Sequence, residues 1–309
     1  MRETVKNQAA EDFSRARSKE VFQRIMHFLD NDRTKLLSLN DVKKLLRPKS
    51  ETYRGMQAVP IQLIVGSEGR YRDFNKYFLP RSEHLRPRWE RVDEARLNDI
   101  TLPPIQLYEI GGVYFVRDGN HRVSVAKTQG VENVDAEVIS LSTEISISPS
   151  MTVDDLRKAL IAYEKKTFFQ KTEFEKITGC GGLDFTMPGS YDIIYNHIMV
   201  HKYFLNQHCS EEIPFDKALR SWFDNVYKPI TDIIVKENLC GQFPGRTPSD
   251  LYVWIVKHWD LLKKKYGIHY TILDAARDFG TRYGRRDGRR NLSALILSLV
   301  KGIFGKRRH

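Results

Sequence analysis

The sequence predicts an α+β protein in which a mixed α/β domain is followed by an α-helical bundle domain. Between residues 58 and 150, short runs of β-branched and aromatic residues alternate with glycine turns and short helical stretches. From Val153 onward, apolar residues recur mainly at helical spacing and strand signals are few. Strands with helices between them, followed by helices alone, indicate two domains of different architecture.

The N-terminal arm, residues 1–57, is predicted to be helical. From Glu11 to Asp30, apolar residues stand at helical spacing with charges between them. A second helix begins at Ser38, a capping residue with an acid three positions later, and ends before Pro48. The mixed domain, residues 58–150, follows this arm.

The most informative segment of the mixed domain is the turn Asp118–Arg122. Before it, Gly112–Arg117 has the β-branched and aromatic composition of a buried strand. After it, His121–Gln129 has a helical pattern that stops at a glycine, and alternating residues from Val134 to Val138 predict another strand. The chain is therefore predicted to run from strand to tight turn to helix to strand.

This turn has the residue types of an anion site. The first turn of a helix leaves amide N–H groups unpaired and carries about half a positive charge. Gly119 allows a ligand to approach the backbone, and His121 and Arg122 add donors. Asp118 would repel a phosphate unless a metal ion or a neighbouring donor neutralised it, and a nucleotide bound with Mg²⁺ would remove this repulsion. In the alternative interpretation, Asp118 and Asn120 only form the turn and cap the helix.

Residues from about Val59 to Ile139 resemble the ParB/sulfiredoxin superfamily, which includes the ParB-like nuclease domain. The matching features are a first strand at Val59–Val65, a helical stretch, a proline-containing strand at Leu102–Leu107, a short hairpin and a glycine turn at a helix start. In that superfamily the turn binds nucleotide phosphates. The resemblance implies that ATP, ADP or CTP with Mg²⁺ is the cofactor. It also implies that the phosphates contact Gly119, Asn120, His121 and Arg122.

Departures from the family patterns reduce the number of activities that the resemblance implies for this chain. The sulfiredoxin motif G-C-H-R has its catalytic cysteine where Asn120 stands, so we do not expect sulfinic acid reduction. The free-serine kinase branch has a similar turn and an acidic base near the first strand. That resemblance makes Glu68 and Asp118 the candidate catalytic residues, and Arg70 and Arg72 the cations that close over a ligand. Alternatively, Glu68 is an exposed loop carboxylate and both arginines are solvated.

Residues 151–280 are predicted to form the helical domain. Its motifs, such as Phe243–Thr247, resemble a C-terminal domain of unknown function that follows ParB-like domains in bacterial and archaeal proteins, some of them labelled transcriptional regulators. The predicted helices are Asp154–Thr167, Tyr191–His208, Phe215–Glu237, Pro248–Tyr266 and Ile272–Phe279.

Composition indicates a protein of the reducing cytoplasm. Its three cysteines, Cys180, Cys209 and Cys240, are widely spaced and form no C-x-x-C pair, which argues against disulfides and a cysteine zinc site. No apolar run reaches the roughly 20 residues that span a bilayer.

The net charge of +11 is concentrated in a basic tail, residues 281–309. This tail has nine cations and one anion, a net charge of +8, which leaves +3 for the rest of the chain. Three interpretations remain open for its arginines and short apolar helix: DNA contact, attachment to anionic membrane through residues 289–309, or docking on protein. The arginines proposed for nucleic-acid or lipid contact are Arg285, Arg286, Arg289 and Arg290.

Two function hypotheses follow from these patterns. The first is a nucleotide-binding protein of the ParB/sulfiredoxin type, acting as a Mg²⁺-dependent NTPase or phosphotransferase through the Asp118–Arg122 turn. The second is a ParB-like DNA-binding regulator of transcription or chromosomes that uses the basic tail. A homodimer is compatible with both hypotheses.

Overall fold

The computed structural model describes residues 2–26, 34–207, 210–267 and 269–284. The chain divides into two compact units, Met1–Leu160 and Ile161–His309, and the division falls inside the helix Val153–Thr172. Unit 1 holds a six-stranded mixed sheet with helices, and the described residues of unit 2 form helices and turns. The predicted α+β class is confirmed.

Unit 1 contains six strands and the helices α1 to α4, with the beginning of α5. In chain order these elements are α1 (Arg2–Met26), β1 (Leu37–Ser38), α2 (Leu39–Leu46), β2 (Glu51–Pro60), β3 (Ile64–Ser67), α3 (Arg86–Leu97), β4 (Ile105–Ile110), β5 (Val113–Asp118), α4 (Asn120–Thr128), β6 (Asn133–Leu141) and α5 (Val153–Thr172).

The strands follow the order β1-β3-β5-β4-β6-β2 across the sheet. The β1/β3, β3/β5 and β4/β6 pairs are parallel, whereas β4/β5 and β2/β6 are antiparallel. This order places β5, which leads into the Asp118–Arg122 turn, near the centre of the sheet.

Side chains alternate between two apolar cores on the two faces of the sheet. On β5, Val116 packs into a core with residues of α1, α3 and α4, such as Trp89 and Val123. Its neighbour Phe115 packs into a second core with residues of α2 and the start of α5, such as Val42. The alternation follows from the two-residue period of a strand. Because both faces are covered, the first four residues of β5, Val113–Val116, are aliphatic or aromatic, and the charged residues of the strand stand at its exposed end.

The structure corrects the predicted first strand, Val59–Val65. The chain instead forms β2, a 3₁₀ turn at Ile61–Leu63, and then β3 in a different position of the sheet. Pro60 lacks an N–H for the sheet, and the amide of Ile61 donates to the carbonyl of Glu132 at 2.9 Å. Most of β2 was missed because it lies at the sheet edge with nearly all its residues exposed, so it has no hydrophobic alternation.

Helix α3 is fixed against α4 and the preceding loop by a buried hydrogen-bond relay. The indole Nε1 of Trp89 donates to Ser124 Oγ at 2.8 Å, and that hydroxyl donates to the carbonyl of Phe78 at 2.6 Å. All three residues are buried. The relay therefore sets which face of α3 is turned toward the beginning of α4.

Asp93 is a buried carboxylate on the same helix. Its Oδ1 accepts a hydrogen bond from Gln129 Nε2 at 2.6 Å, whereas its Oδ2 is buried without a partner in the described part of the chain. Burial and the negative charge of Asp12 raise the pKa of Asp93 from 3.8 to about 6. The ionised form therefore destabilises the fold at neutral pH.

Unit 2 contains the rest of α5 and seven further helices among its described residues. These helices are α6 (Phe174–Thr178), α7 (Ser190–Asn206), α8 (Phe215–Trp222), α9 (Lys228–Lys236), α10 (Leu239–Gln242), α11 (Pro248–Tyr266) and α12 (Ile272–Tyr283).

The predicted helices of unit 2 correspond to α5, α7, α8 with α9, α11 and α12. Helix α11 begins with the expected capping box between Thr247 and Asp250. The predicted helix Phe215–Glu237 contains a π-helical turn at Phe223–Tyr227, which divides it into α8 and α9. Across the described residues of both units, no helix is sufficiently long and apolar to cross a membrane.

The substitution Asp93→Asn is expected to stabilise the protein most at neutral and alkaline pH. A raised carboxyl pKa gives stability that is complete below about pH 4 and is lost as the pH rises through about 6. The neutral amide keeps the acceptor for Gln129 and avoids this loss. Urea unfolding from pH 4 to 8 should show an advantage that grows to about 1–3 kcal/mol.

The exposed Asp99, in the turn that follows α3, provides the control Asp99→Asn. A constant difference between Asp93→Asn and the parent protein over this pH range would contradict the assigned role of the buried carboxylate.

Candidate functional site

The turn between β5 and α4 depends on Gly119. This residue has φ 105° and ψ 22°, a left-handed conformation that L-residues with side chains rarely adopt. A Cβ atom at this position would lie 2.5 Å from Cγ2 of Ile105. Gly119 is also the N-cap residue of α4, and no side chain caps this helix start. The first amides of α4 are therefore left for water or a ligand.

Arg122 fixes the turn rather than extending into solvent. Its Nη1 donates to the carbonyl of Pro103 and, at 3.0 Å, to that of Pro104, while its Nη2 lies 2.5 Å from Oδ2 of Asp118. Only 18% of the side chain is exposed. The structure thus brings the predicted residues Arg122 and Asp118 together as an ion pair.

This pairing changes how the charge of Asp118 is balanced. The sequence alone left a metal ion or a neighbouring donor to neutralise this carboxylate, and the structure supplies the guanidinium of Arg122 as that donor. Asp118 is the more exposed partner, with 58% of its side chain accessible. Among the described residues, no group of three or more metal-ligating side chains comes together. The metal-binding and catalytic roles of Asp118 stay predictions.

Asn120 and His121 are buried polar residues at the start of α4. They are only 7% and 5% exposed. Within the described parts of the chain, neither Asn120 Oδ1 nor His121 Nδ1 has a hydrogen-bond partner. A buried polar atom without a partner costs about 1–3 kcal/mol. Two such atoms, on consecutive residues at an uncapped helix start, leave hydrogen bonds for water or a ligand to complete.

The ring of His121 is held in its neutral form. Phe74 packs edge-on against it, with ring centroids 5.4 Å apart. Burial, together with the positive charges of Arg88 and Arg70, lowers the pKa of His121 from 6.5 to about 4. At neutral pH the imidazole therefore offers one donor and one acceptor without a charge of its own.

These groups line a small cleft, which we call the turn cleft. Its volume is about 50 Å³. The lining residues are Arg70, Arg88, Val92, Asp118, Gly119, Asn120, His121 and Arg122. Arg70 is held beside the cleft by a 2.8 Å ion pair between its Nη1 and Oδ2 of Asp73. In the described part of the chain, no carboxylate pairs with Arg88.

Arg88 and Val92 were not predicted to belong to the site. They lie one helical turn apart on α3, so both face the same way. Arginines occur throughout this segment, and only the packing of Trp89 against α4 shows which of them reaches the turn. The sequence contains no local signal that distinguishes Arg88 from Arg91.

Two other predicted residues do not line the turn cleft. Glu68 is half-buried, and its backbone amide donates to the carbonyl of Val116 at 2.9 Å. The exposed Arg72 lies over the ring of Tyr71 and lines a different cavity of unit 1. Their roles as base and ligand clamp stay predictions. The basic-tail residues Arg285, Arg286, Arg289 and Arg290 lie outside the described residues.

A larger groove with both apolar and polar walls adjoins the turn cleft, and we call it the proline groove. It has a volume of about 440 Å³ and shares Val92 and Arg122 with the cleft. Its other walls include Pro103, Pro104 and Ile105. This volume lies in the range of pockets that hold small ligands. A ligand with anionic groups at the turn could place an uncharged part there.

Comparisons with known proteins leave the family open. No protein-family model matches the chain, and no curated protein matches it. One solved structure, described as the C2221 form of a Pnob8-like ParB-N domain, aligns with 82% of this chain and 99% of its own. The identity is 12% and the TM-score is 0.20, a level of similarity that supports no structural or functional inference.

Replacing Gly119 by alanine is expected to destabilise unit 1. The positive φ and the clash with Ile105 together cost about 2–4 kcal/mol. The matched control is Gly69→Ala, because nothing lies within 4 Å of a Cβ added there and its φ is outside the left-handed region. Urea unfolding should show a change within about 0.5 kcal/mol for the control. Equal effects of the two substitutions would contradict the assigned role of Gly119.

Proposed function

We propose that unit 1 binds a nucleoside diphosphate or triphosphate at the turn cleft. The observation that carries this proposal is the buried Nδ1 atom of His121, which has no hydrogen-bond partner among the described residues and lies at an uncapped helix N-terminus. Open helix amides and a neutral imidazole N–H suit phosphate oxygens. Arg70 and Arg88 supply the positive charge that attracts an anion.

The size of the two depressions supports a nucleotide rather than a single phosphate. The turn cleft, about 50 Å³, has room only for part of a ligand. The adjoining proline groove, about 440 Å³, could hold the ribose and base against Pro104 and Ile105. Arg122 lies in the walls of both and joins them.

A magnesium ion would fit this arrangement only as part of the nucleotide. Among the described residues, the carboxylate of Asp118 is the one acidic group in the wall of the turn cleft, and its Oδ2 already accepts a hydrogen bond from Arg122. Mg²⁺ bound through one carboxylate and several phosphate oxygens is a common arrangement. We therefore assign Asp118 as the protein residue that would reach the ion, with no further ligands proposed.

Phosphoryl transfer or hydrolysis remains the activity proposed for such a nucleotide site. Asn120 lacks the nucleophilic sulfur that sulfinic acid reduction requires. Glu68 and Asp118 are the carboxylates proposed as base, on the resemblance to the free-serine kinase branch. We also propose membership of the ParB/sulfiredoxin superfamily, dimer formation and DNA contact through the basic tail. These proposals likewise rest on the sequence.

Calorimetry of the full chain with ATP, ADP, CTP and GTP, each with Mg²⁺, tests nucleotide binding. At least one nucleotide should bind, and Arg88→Ala and Arg70→Ala should each weaken it about 10- to 100-fold, because each removes a charge-assisted hydrogen bond. Arg91→Ala is the matched control, since Arg91 is exposed on α3 but does not line the cleft.

The outcome against the proposal is that no nucleotide binds, or that Arg88→Ala and Arg91→Ala behave alike. Arg122→Ala is a poor test of binding by itself, because the substitution also removes the hydrogen bonds to Pro103 and Pro104.

A further inference from the structure

Unit 1 contains a second cavity, which we call the basic cavity. Its volume is about 390 Å³, and it shares no lining residue with the turn cleft. The walls come from the segment before α2, the loop after β3 and the start of α5. Its charged lining residues are Lys35, Asp41, Arg72, Lys76, Arg81 and Asp154.

Four of these six charged residues are cations, and the two carboxylates do not neutralise them. Asp154 pairs with Arg157, which is not a wall residue. Asp41 has no ion-pair partner in the described part of the chain. Arg81 has a carboxylate nearby, with its Nε 3.6 Å from Oε1 of the buried Glu20, and that carboxylate also pairs with Arg17.

Two cations in the wall are available to a ligand. The exposed Arg72 has the ring of Tyr71 as its contact among the described residues, with the guanidinium carbon 5.6 Å from the ring centroid. The Nζ of Lys76 donates to the carbonyl of Ser150 at 3.3 Å, which leaves its charge unpaired by any carboxylate in the described part of the chain. A cation that keeps its charge without a carboxylate inside a concave surface attracts anions.

The basic cavity also has apolar walls, which suit an uncharged part of a ligand. Leu36, Tyr71, Pro149 and Met151 line the cavity with apolar surface. Its volume lies within the range of small-molecule sites. A guanidinium beside an ammonium suits a molecule with two or more phosphate or carboxylate oxygens close together.

We infer that the basic cavity is a second binding site, which takes a small organic polyanion carrying phosphate or carboxylate groups. Arg72 and Lys76 bind the anionic groups, and the apolar wall contacts the carbon skeleton. Asp41 opposes binding and sets the selectivity against ligands of low charge. This site is independent of the nucleotide proposed for the turn cleft, because the two share no wall residue.

The test uses pyrophosphate and citrate as probes, titrated separately into the full chain by calorimetry at constant ionic strength. Pyrophosphate represents phosphate ligands and citrate represents carboxylate ligands. The double variant Arg72→Ala/Lys76→Ala should weaken the tighter probe about tenfold or more, a loss of about 1.4 kcal/mol or more. Arg88→Ala removes a cation of the turn cleft, where pyrophosphate is also expected to bind, and it should leave unchanged the separate binding event that the double variant weakens.

Two further variants separate a specific site from general basicity or misfolding. Lys44→Ala removes an exposed lysine of α2 that does not line the cavity, and it should have no effect. Asp41→Asn removes the opposing carboxylate and should tighten binding about threefold to tenfold, a gain that a folding defect cannot produce.

The inference is overturned if neither probe binds the parent chain. It is also overturned if Lys44→Ala weakens binding as much as the double variant does, or if Asp41→Asn leaves the affinity unchanged. Loss of probe binding in Arg88→Ala alone would place the ligand in the turn cleft instead and would refute a second site.

Discussion

The guanidinium of Arg122 holds together the chain segments that form the candidate site. From the first turn of α4 it donates to the carbonyls of Pro103 and Pro104, just before β4, and to the carboxylate of Asp118 at the end of β5. Pro103 and Pro104 have no backbone N–H groups, so neither residue can be held by an amide hydrogen bond of its own. The ion pair and the two carbonyl contacts position the loop against Gly119.

Once Arg122 is engaged in this way, the anion-attracting character of the site comes from other groups. Arg70 approaches from the loop after β3, and Arg88 approaches from α3. Between them lies His121, which stays neutral because it is buried and because both cations repel a proton from its ring. An anion in the turn cleft would offset that repulsion and would make the protonated imidazole easier to form. Ligand binding and the protonation of His121 are therefore linked.

The sequence predicted the parts of this fold that depend on local signals. Capping residues marked the starts of α2 and α11, and the glycine turn between β5 and α4 lies where its residues placed it. The edge strand β2 could not be predicted over its full length, because most of its exposed residues follow no period. The π-helical turn after α8 has no local sequence signal that we can identify.

In the candidate site, too, only the residues that share a local motif could be predicted from the sequence. Gly119, Asn120, His121 and Arg122 are neighbours in the chain, so one motif reveals them together. Arg88 comes from a separate helix, and only tertiary packing through Trp89 brings it to the turn. The sequence also could not show that the guanidinium of Arg122 would donate hydrogen bonds to backbone carbonyls. Such contacts depend on how β4 and α4 approach each other, which no short motif encodes.

The most direct measurement of the central claim is an NMR titration of the His121 ring in the full chain, with histidine labelled and the signal assigned through His121→Gln. Without ligand, the ring should remain neutral down to about pH 5, as expected for a pKa of about 4. Saturation with the nucleotide that binds, tested from ATP, ADP, CTP and GTP with Mg²⁺, should shift the Nδ1 signal and raise this pKa. An ordinary pKa near 6.5 in the free protein, or a signal that no nucleotide changes, would contradict the account.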